Sequence, residues 1–244
     1  MQIDLYLGFT SCRWHCLFCK QGEDLIYFPR PTYMSDPIQY QFFHFNEPDD
    51  LYRWITTTIY ENVDTINISG NDPTSWIELY DFLGILTEKY PWVHRTIRIS
   101  NTLLVDHSVY TRIDAVELSL YWHNPEVQST MTGTRESWDI FHSNLAEIRT
   151  SHRVDVQMQT IFLNTNIIHA KNILEYMLSI SGGQPIKIVY PHFMPRNMLH
   201  ELIPKRKLLQ LLIRQVPKEI LQKCIINNLK PQISLTSLFY GIQE

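Results

Sequence analysis

Apolar and polar residues alternate along this chain in two rhythms. Six short runs are rich in Ile, Val, Leu, Tyr and Thr: IDLYLGF from Ile3, DTINISG from Asp64, RTIRIS from Arg95, AVELSLY from Ala115, VDVQMQTIFL from Val154 and IKIVYP from Ile186. Their length and β-branched content predict strands. Helical patterns separate most of them. LYRWITTTIYENV from Leu51 follows the acidic pair Asp49–Asp50, a start signal. SWIELYDFLGILTEKY opens on Ser75 with Glu78 three residues on, the spacing of a capping box. SWDIFHSNLAEI from Ser137 and IIHAKNILEYMLS from Ile167 carry apolar residues three and four apart. Pro204 opens a last helical stretch, PKRKLLQLLIRQV, which Pro217 is expected to end or kink.

Strands alternating with helices imply a parallel sheet joined by right-handed crossovers. A closed eight-unit barrel needs about 250 residues. The six strand patterns here, followed by a helical end, fit an α/β fold of parallel strands arranged as an open, partial (β/α)6 barrel. The expected division is a barrel over residues 1–195 and a C-terminal helical extension, packed on it, over 196–244. In parallel α/β architectures the chemistry sits at the carboxyl ends of the strands.

Composition narrows the partners. An apolar content of 44% suffices for one sizeable core, and a net charge of −4 gives no global basic field, so no nucleic-acid partner is expected. Lys205, Arg206 and Lys207 adjoin a leucine-rich stretch and read as the solvated edge of an amphipathic helix. No apolar run approaches the roughly 20 residues that span a bilayer. The N-terminus reads as a strand rather than a signal peptide. No membrane association is expected, and a cytoplasmic location follows by default.

Three of the four cysteines fall within eight positions, which favours a metal site over a disulfide framework. CRWHCLFC, from Cys12 to Cys19, follows the first strand with the spacing C-x3-C-x2-C. Three thiolates on a short loop can ligate three irons of a cubane cluster and leave the fourth iron open. The competing reading is a zinc site that adds His15 or a distant histidine to the three cysteines. His15 adjoins Cys16, which would strain a loop sharing one metal. Loop packing beside the metal is the simpler reading of Trp14 and His15.

The cysteine spacing, Phe18 before the last cysteine and the position after strand one resemble the radical S-adenosylmethionine superfamily. The resemblance implies a [4Fe–4S] cluster on Cys12, Cys16 and Cys19, and S-adenosylmethionine chelating the open iron through its amino and carboxylate groups. In that family, electron transfer cleaves the sulfonium and releases a 5′-deoxyadenosyl radical that abstracts hydrogen from the substrate. Gly70, Asn71, Asp72 and Pro73 resemble the family's Gly-Gly-Glu-Pro motif, which holds the methionine amino group. Asn stands for the second Gly and Asp for Glu, with one methylene less reach. Taken alone the segment reads as an ordinary Asn-Asp-Pro turn, but after the cysteine motif and a strand it reads as a cofactor-binding turn. Ser100, Asn101 and Thr102 resemble a Thr-Asn-Gly segment near the cofactor. Ser119 in VELSL matches a serine near the ribose. TGTRESWD from Thr132 resembles a Gly-x-x-Gly-Ser-Phe-Asp stretch, with Glu136 for the second Gly; Arg135 there reads as an exposed flanking residue. Gln159, Thr160 and Tyr190 are candidates for adenosine contacts, with barrel filling as the alternative. The resemblance covers about residues 1–195.

Beyond that range Cys224 stands alone, and one cysteine cannot hold a second cubane cluster. It is either a hydrogen-atom donor or a buried thiol. Residues 21–46 are unusually aromatic, with Tyr27, Phe28, Tyr33, Tyr40, Phe42, Phe43 and Phe45 interrupted by Pro29, Pro31 and Pro37. This stretch reads as a lid or substrate wall, or as a long connection over the barrel.

The resemblance thus implies a radical enzyme leaning to peptide or protein modification, with an external electron donor of flavodoxin or ferredoxin type. A small-molecule substrate, such as a nucleoside or amino-acid derivative, and a glycyl-radical activase are alternatives. A non-catalytic zinc-binding scaffold is the reading from a different class.

Overall fold

The computed structural model describes residues 1–12, 16, 25–27, 40–57, 62–99, 106–151, 154–190 and 193–227. The fold is α/β, with eight described strands that pair in parallel, two more than the sequence pattern suggests. The chain divides into two compact units. Met1–Trp14, Met34–Ser119 and Glu136–Val156 form the first; His15–Tyr33, Leu120–Arg135 and Gln157–Glu244 form the second.

In the first unit, strand β1 (Gln2–Leu7) is flanked on one side by β3 (Tyr40–Phe45) and on the other by β4 (Thr65–Gly70), β5 (His94–Ile99) and β6 (Ala115–Ser119), all parallel. Strand alternation sets the faces. Ile3, Leu5 and Leu7 on β1 and Ile66 and Ile68 on β4 are buried, while Gln2, Asp4 and Tyr6 point to the opposite face and are partly exposed. Helices α1 (Pro48–Thr57), α2 (Leu79–Lys89) and α4 (Ser137–Ser151) belong to this unit. Strand β2 (Leu25–Tyr27) lies in the second unit.

The aromatic stretch read as a lid is, over Tyr40–Phe45, an edge strand. Phe43 lies opposite Leu5 in register, and the rings of Phe43 and Phe45 sit 5.2 and 5.9 Å from that of Trp54 on α1. Periodicity did not separate this strand from a loop because the run is aromatic on both faces. Of the remaining part of residues 21–46, Phe28 and Tyr33 lie outside the described residues.

The expected capping box also fails. Ser75 ends a short 3-10 turn, Pro73–Ser75, and α2 begins only at Leu79, with Glu78 making no side-chain cap bond. Asp72 starts that turn by accepting from the Thr74 amide at 3.1 Å, and the Ser75 hydroxyl is used elsewhere. The pattern from Ser137 does become α4. The sequence reading missed α3 (Pro125–Thr132), whose signals are all at its ends: Asn124 accepts from the amides of Glu126 and Val127, Pro125 opens the helix, and Gly133 closes it with φ of 63°.

In the second unit, β7 (Asp155–Thr160, from Gln157 on), β8 (Ile186–Val189) and β10 (Cys224–Asn227) are successive parallel neighbours, and β2 pairs antiparallel with β9 (Phe193–Pro195). Helices α3, α5 (Ala170–Ser179), α6 (Lys205–Gln215) and α7 (Lys218–Leu221) complete it. Pro204 and Pro217 delimit α6 as expected. The segment beyond residue 195 is not purely helical, because β10 extends the sheet. Among the described residues no helix is long and apolar enough to cross a membrane.

The amino ends of β5 and β6 are tied by Arg95 and Asp114. The Arg95 amide donates to Asp114 Oδ2 at 2.8 Å and its Nε to the same oxygen at 3.1 Å. Burial raises the Asp114 pKa, but the bonds and charge of Arg95 outweigh it and hold the carboxyl below its ordinary 3.8. A lowered carboxyl pKa contributes stability above the unfolded value and loses it as pH falls through the folded one. The carboxylate is 38% exposed, so solvent screening limits the contribution to about 1 kcal/mol or less. Asp114→Asn is therefore expected to be slightly less stable than wild type in urea unfolding at neutral pH, with the difference vanishing in strong acid.

Candidate functional site

The candidate site of the first unit is built where β1 and β4 end side by side, with Leu7 opposite Gly70. Past Leu7 the chain turns through Gly8–Ser11 into Cys12. The Gly8 amide donates to the Phe45 carbonyl at 2.7 Å, and the Thr10 hydroxyl donates to the Leu7 carbonyl at 2.8 Å. Past Gly70 comes the turn Asn71–Ser75, and it closes directly on this lead-in. Asn71 Nδ2 donates to the Thr10 carbonyl at 2.7 Å and to the Gly8 carbonyl at 3.4 Å. The Asn71 amide donates to Thr10 Oγ1 at 3.2 Å, and the Tyr6 hydroxyl donates to Asn71 Oδ1 at 3.3 Å. The Ser11 amide donates to Ser75 Oγ at 2.9 Å, and that hydroxyl donates to the Asp72 carbonyl at 2.8 Å.

Gly70 is required for close approach. A Cβ there would stand 2.6 Å from the Leu7 carbonyl oxygen and 2.7 Å from Thr10 Oγ1. Asp72 is fully buried, and its Oδ1 accepts from both the amide and the hydroxyl of Thr74, so at least part of its carboxylate shapes the turn. Tyr110 lies within its field. Burial, with the Glu147 and Asp72 carboxylates adding, pushes the Tyr110 phenol above its ordinary value and keeps it neutral. Ser119 closes β6 and is buried.

Cys12 is partly exposed and lies in the first unit; Cys16 is 7% exposed and lies in the second. The expected site residues Phe18, Cys19, Ser100 and Asn101 lie outside the described residues, as do Trp14, His15 and Thr102. Each of the two described cysteines of the motif carries a thiol of the soft class that iron–sulfur clusters use, and Cys12 follows the carboxyl end of β1, so the donor chemistry fits such a cluster.

In the second unit, Gln159 and Thr160 close β7, both buried, and Thr160 Oγ1 has no hydrogen-bond partner among the described residues. Tyr190 follows β8, with Lys205 Nζ 4.9 Å from its ring centre, and burial raises its phenol pKa. The sequence reading missed a cluster just past β6. The Trp122 and His169 rings are 5.0 Å apart, and those of His123 and His169 are 6.1 Å apart. Burial, then the neighbouring His169, lowers the His123 pKa. Asn166 holds the segment by donating to the Tyr121 and Ile161 carbonyls. Trp122 and His123 sit after a strand, a position that carries chemistry in such folds, but His169 is brought near only by the tertiary structure.

Cys224 opens β10 rather than closing it. Its Sγ donates to the Ile220 carbonyl at 3.3 Å, and burial pushes its thiol pKa up to about 12. The thiol is thus protonated and engaged with α7.

No protein-family model and no curated protein matches the sequence. Solved structures do. The structure of anSMEcpe with bound AdoMet is 14% identical, with 88% of this chain and 57% of that chain covered, at a TM-score of 0.60. Coproporphyrinogen III oxidase (HemN) from Escherichia coli, a radical SAM enzyme, is 14% identical over 87% of this chain and 51% of its own, at 0.56. Methylornithine synthase (PylB) is 12% identical over 92% and 64%, at 0.56.

This chain has the fold of these three proteins. The expected partial barrel of parallel strands is therefore borne out at the level of architecture. The chain spans less than two thirds of each of these three proteins.

The parallel pairing of β1 with β4 places the lead-in to Cys12 against the turn after β4, and Gly70 is a point of close approach. Gly70→Ala is expected to lower stability by about 1–3 kcal/mol, because the contact is with rigid main chain. Thermal unfolding measures it; an unchanged midpoint would show that the lead-in can move aside.

Proposed function

We propose that this chain is a radical S-adenosylmethionine enzyme with a single [4Fe–4S] cluster on Cys12, Cys16 and Cys19. The observation that carries the reading is the joining of the Cys12 lead-in to the Gly70–Ser75 turn at the carboxyl ends of two paired strands, in a fold shared with radical SAM enzymes. A zinc scaffold accounts for the thiols but not for that turn.

When bound, the cluster supplies one electron to the sulfonium of S-adenosylmethionine, whose cleavage produces the hydrogen-abstracting radical. The chain's own residues bind and orient. Gly70 to Pro73 seat the methionine end. Gly70 allows main chain to approach closely, and Asp72 shapes the turn while offering negative charge to an ammonium. Ser119, with Ser100 and Asn101 on the preceding connection, lies along the cofactor, and Gln159 and Thr160 contact the adenosine. The Thr160 hydroxyl, unpartnered among the described residues, supports that role, since a buried hydroxyl without a partner is costly unless a ligand completes it. Phe18, just before the last cysteine, is assigned to the cofactor. An external flavodoxin- or ferredoxin-type protein delivers the electron, and the cytoplasm is the compartment, where thiols stay reduced.

For the substrate, the reading leans to a peptide or protein. The structure of anSMEcpe with AdoMet and the Cp18Cys peptide supports it, at 13% identity, 87% of this chain and a TM-score of 0.58. The likeness to coproporphyrinogen III oxidase and methylornithine synthase supports a small molecule equally.

Anaerobic reconstitution tests the proposal. Wild-type protein is expected to take up iron and sulfide and, with a strong reductant, to release 5′-deoxyadenosine from S-adenosylmethionine, measured by chromatography. Alanine at Cys12, Cys16 or Cys19 is expected to abolish both. Binding of zinc with no iron uptake, or iron uptake with no 5′-deoxyadenosine, would sink the reading. Cys224→Ala is expected to leave 5′-deoxyadenosine formation and substrate turnover unchanged, because that thiol is engaged with the Ile220 carbonyl.

A further inference from the structure

The turn after β4 does more than border the lead-in to Cys12. Its hydrogen bonds hold the two residues that immediately precede the cysteine. Thr10 is held through its carbonyl by Asn71 Nδ2 and through its hydroxyl by the Asn71 amide; Ser11 is held through its amide by Ser75 Oγ. Thr10 is also buried, and its hydroxyl reaches back to the Leu7 carbonyl, so the same oxygen bridges both strand ends.

The side chain at 71 is what makes this possible. A glycine there would keep the amide bond to Thr10 Oγ1 but lose the Nδ2 bonds to the Thr10 and Gly8 carbonyls and the bond received from Tyr6. Asn supplies both donors and an acceptor on one short, planar group. Ser75 likewise uses its hydroxyl twice, donating to the Asp72 carbonyl and accepting from Ser11. A continuous chain of bonds thus runs from Asp72 through Ser75 to Ser11, one residue short of Cys12.

We infer that Asn71, Ser75 and Thr10 form a clamp that sets the position of the Cys12 thiolate. They are positioning residues that act through the main chain. The inference rests on the proposal that Cys12 is an iron ligand and adds to it what holds that ligand still. Partners that orient a metal ligand matter because a mispositioned ligand binds its metal less well, typically by about 10–100-fold. The clamp also ties the turn proposed to seat S-adenosylmethionine to the chain that enters Cys12, so a ligand on the turn is felt at Cys12, and the reverse.

The test compares wild type with Asn71→Ala, Ser75→Ala and Ser75→Thr, each checked for native circular dichroism. In the apoprotein, alkylation of Cys12 is followed by mass spectrometry of its peptide. In the reconstituted protein, iron loss to a chelator and the electron paramagnetic resonance spectrum of the reduced cluster are recorded. The clamp predicts faster Cys12 alkylation in both alanine variants, iron loss accelerated by about tenfold or more, and shifted g-values. Ser75→Thr keeps the hydroxyl and is expected to return toward wild type in all three. Wild-type alkylation rates and spectra in both alanine variants would overturn the clamp, as would a threonine variant no better than alanine. Failure of the parent reading looks different: wild type takes up no iron, while the alkylation rates still report the clamp.

Discussion

Parallel pairing of β1 with β4 is the constraint on which the candidate site depends. The register that sets Leu5 against Ile68 buries one apolar face, and two residues later it sets Leu7 against Gly70. Because the strands are parallel, both chains leave the sheet at the same edge. Their exits are close enough that only glycine fits at 70. A slip of one residue would send the buried face outward and separate the two exits, so the hydrophobic core fixes the geometry of the polar site.

The polar atoms at that edge are arranged as one accounting problem. A chain leaving a strand exposes amides and carbonyls that must be satisfied. Here the Gly8 and Thr10 carbonyls and the Ser11 amide find partners on the Asn71–Ser75 turn rather than in water. The outcome is an ordered main chain immediately before Cys12. Asp72, which the resemblance assigns to the cofactor, also serves this local structure by capping Thr74.

The second unit contributes buried polar groups of a different kind. Thr160 closes its strand with its hydroxyl unpartnered among the described residues, and the His123 and His169 rings lie 6.1 Å apart near Trp122 under conditions that favour the neutral imidazole of His123. All of these groups follow or close strands at their carboxyl ends or pack against residues that do. Cys224 shows the contrast. It is equally buried, but its hydrogen bond and position at a strand's start make it part of the packing of α7.

What the sequence by itself determined is whatever is local. The six strands with β-branched periodicity formed where the pattern put them, the prolines bounded α6, and the cysteine spacing named the chemistry to look for. These signals depend on neighbours within a few residues. The tertiary structure decided the rest. It made Tyr40–Phe45 an edge strand because β1 offered a partner, and it took Ser75 from a helix cap because Pro73 tightened the turn and Ser11 needed an acceptor. It also turned Asn71, which reads as an imperfect match to a glycine motif, into the residue that ties two strand ends. Its partners lie about sixty residues earlier in the chain. No local pattern encodes such a pairing, because it exists only once parallel register has brought Leu7 and Gly70 side by side.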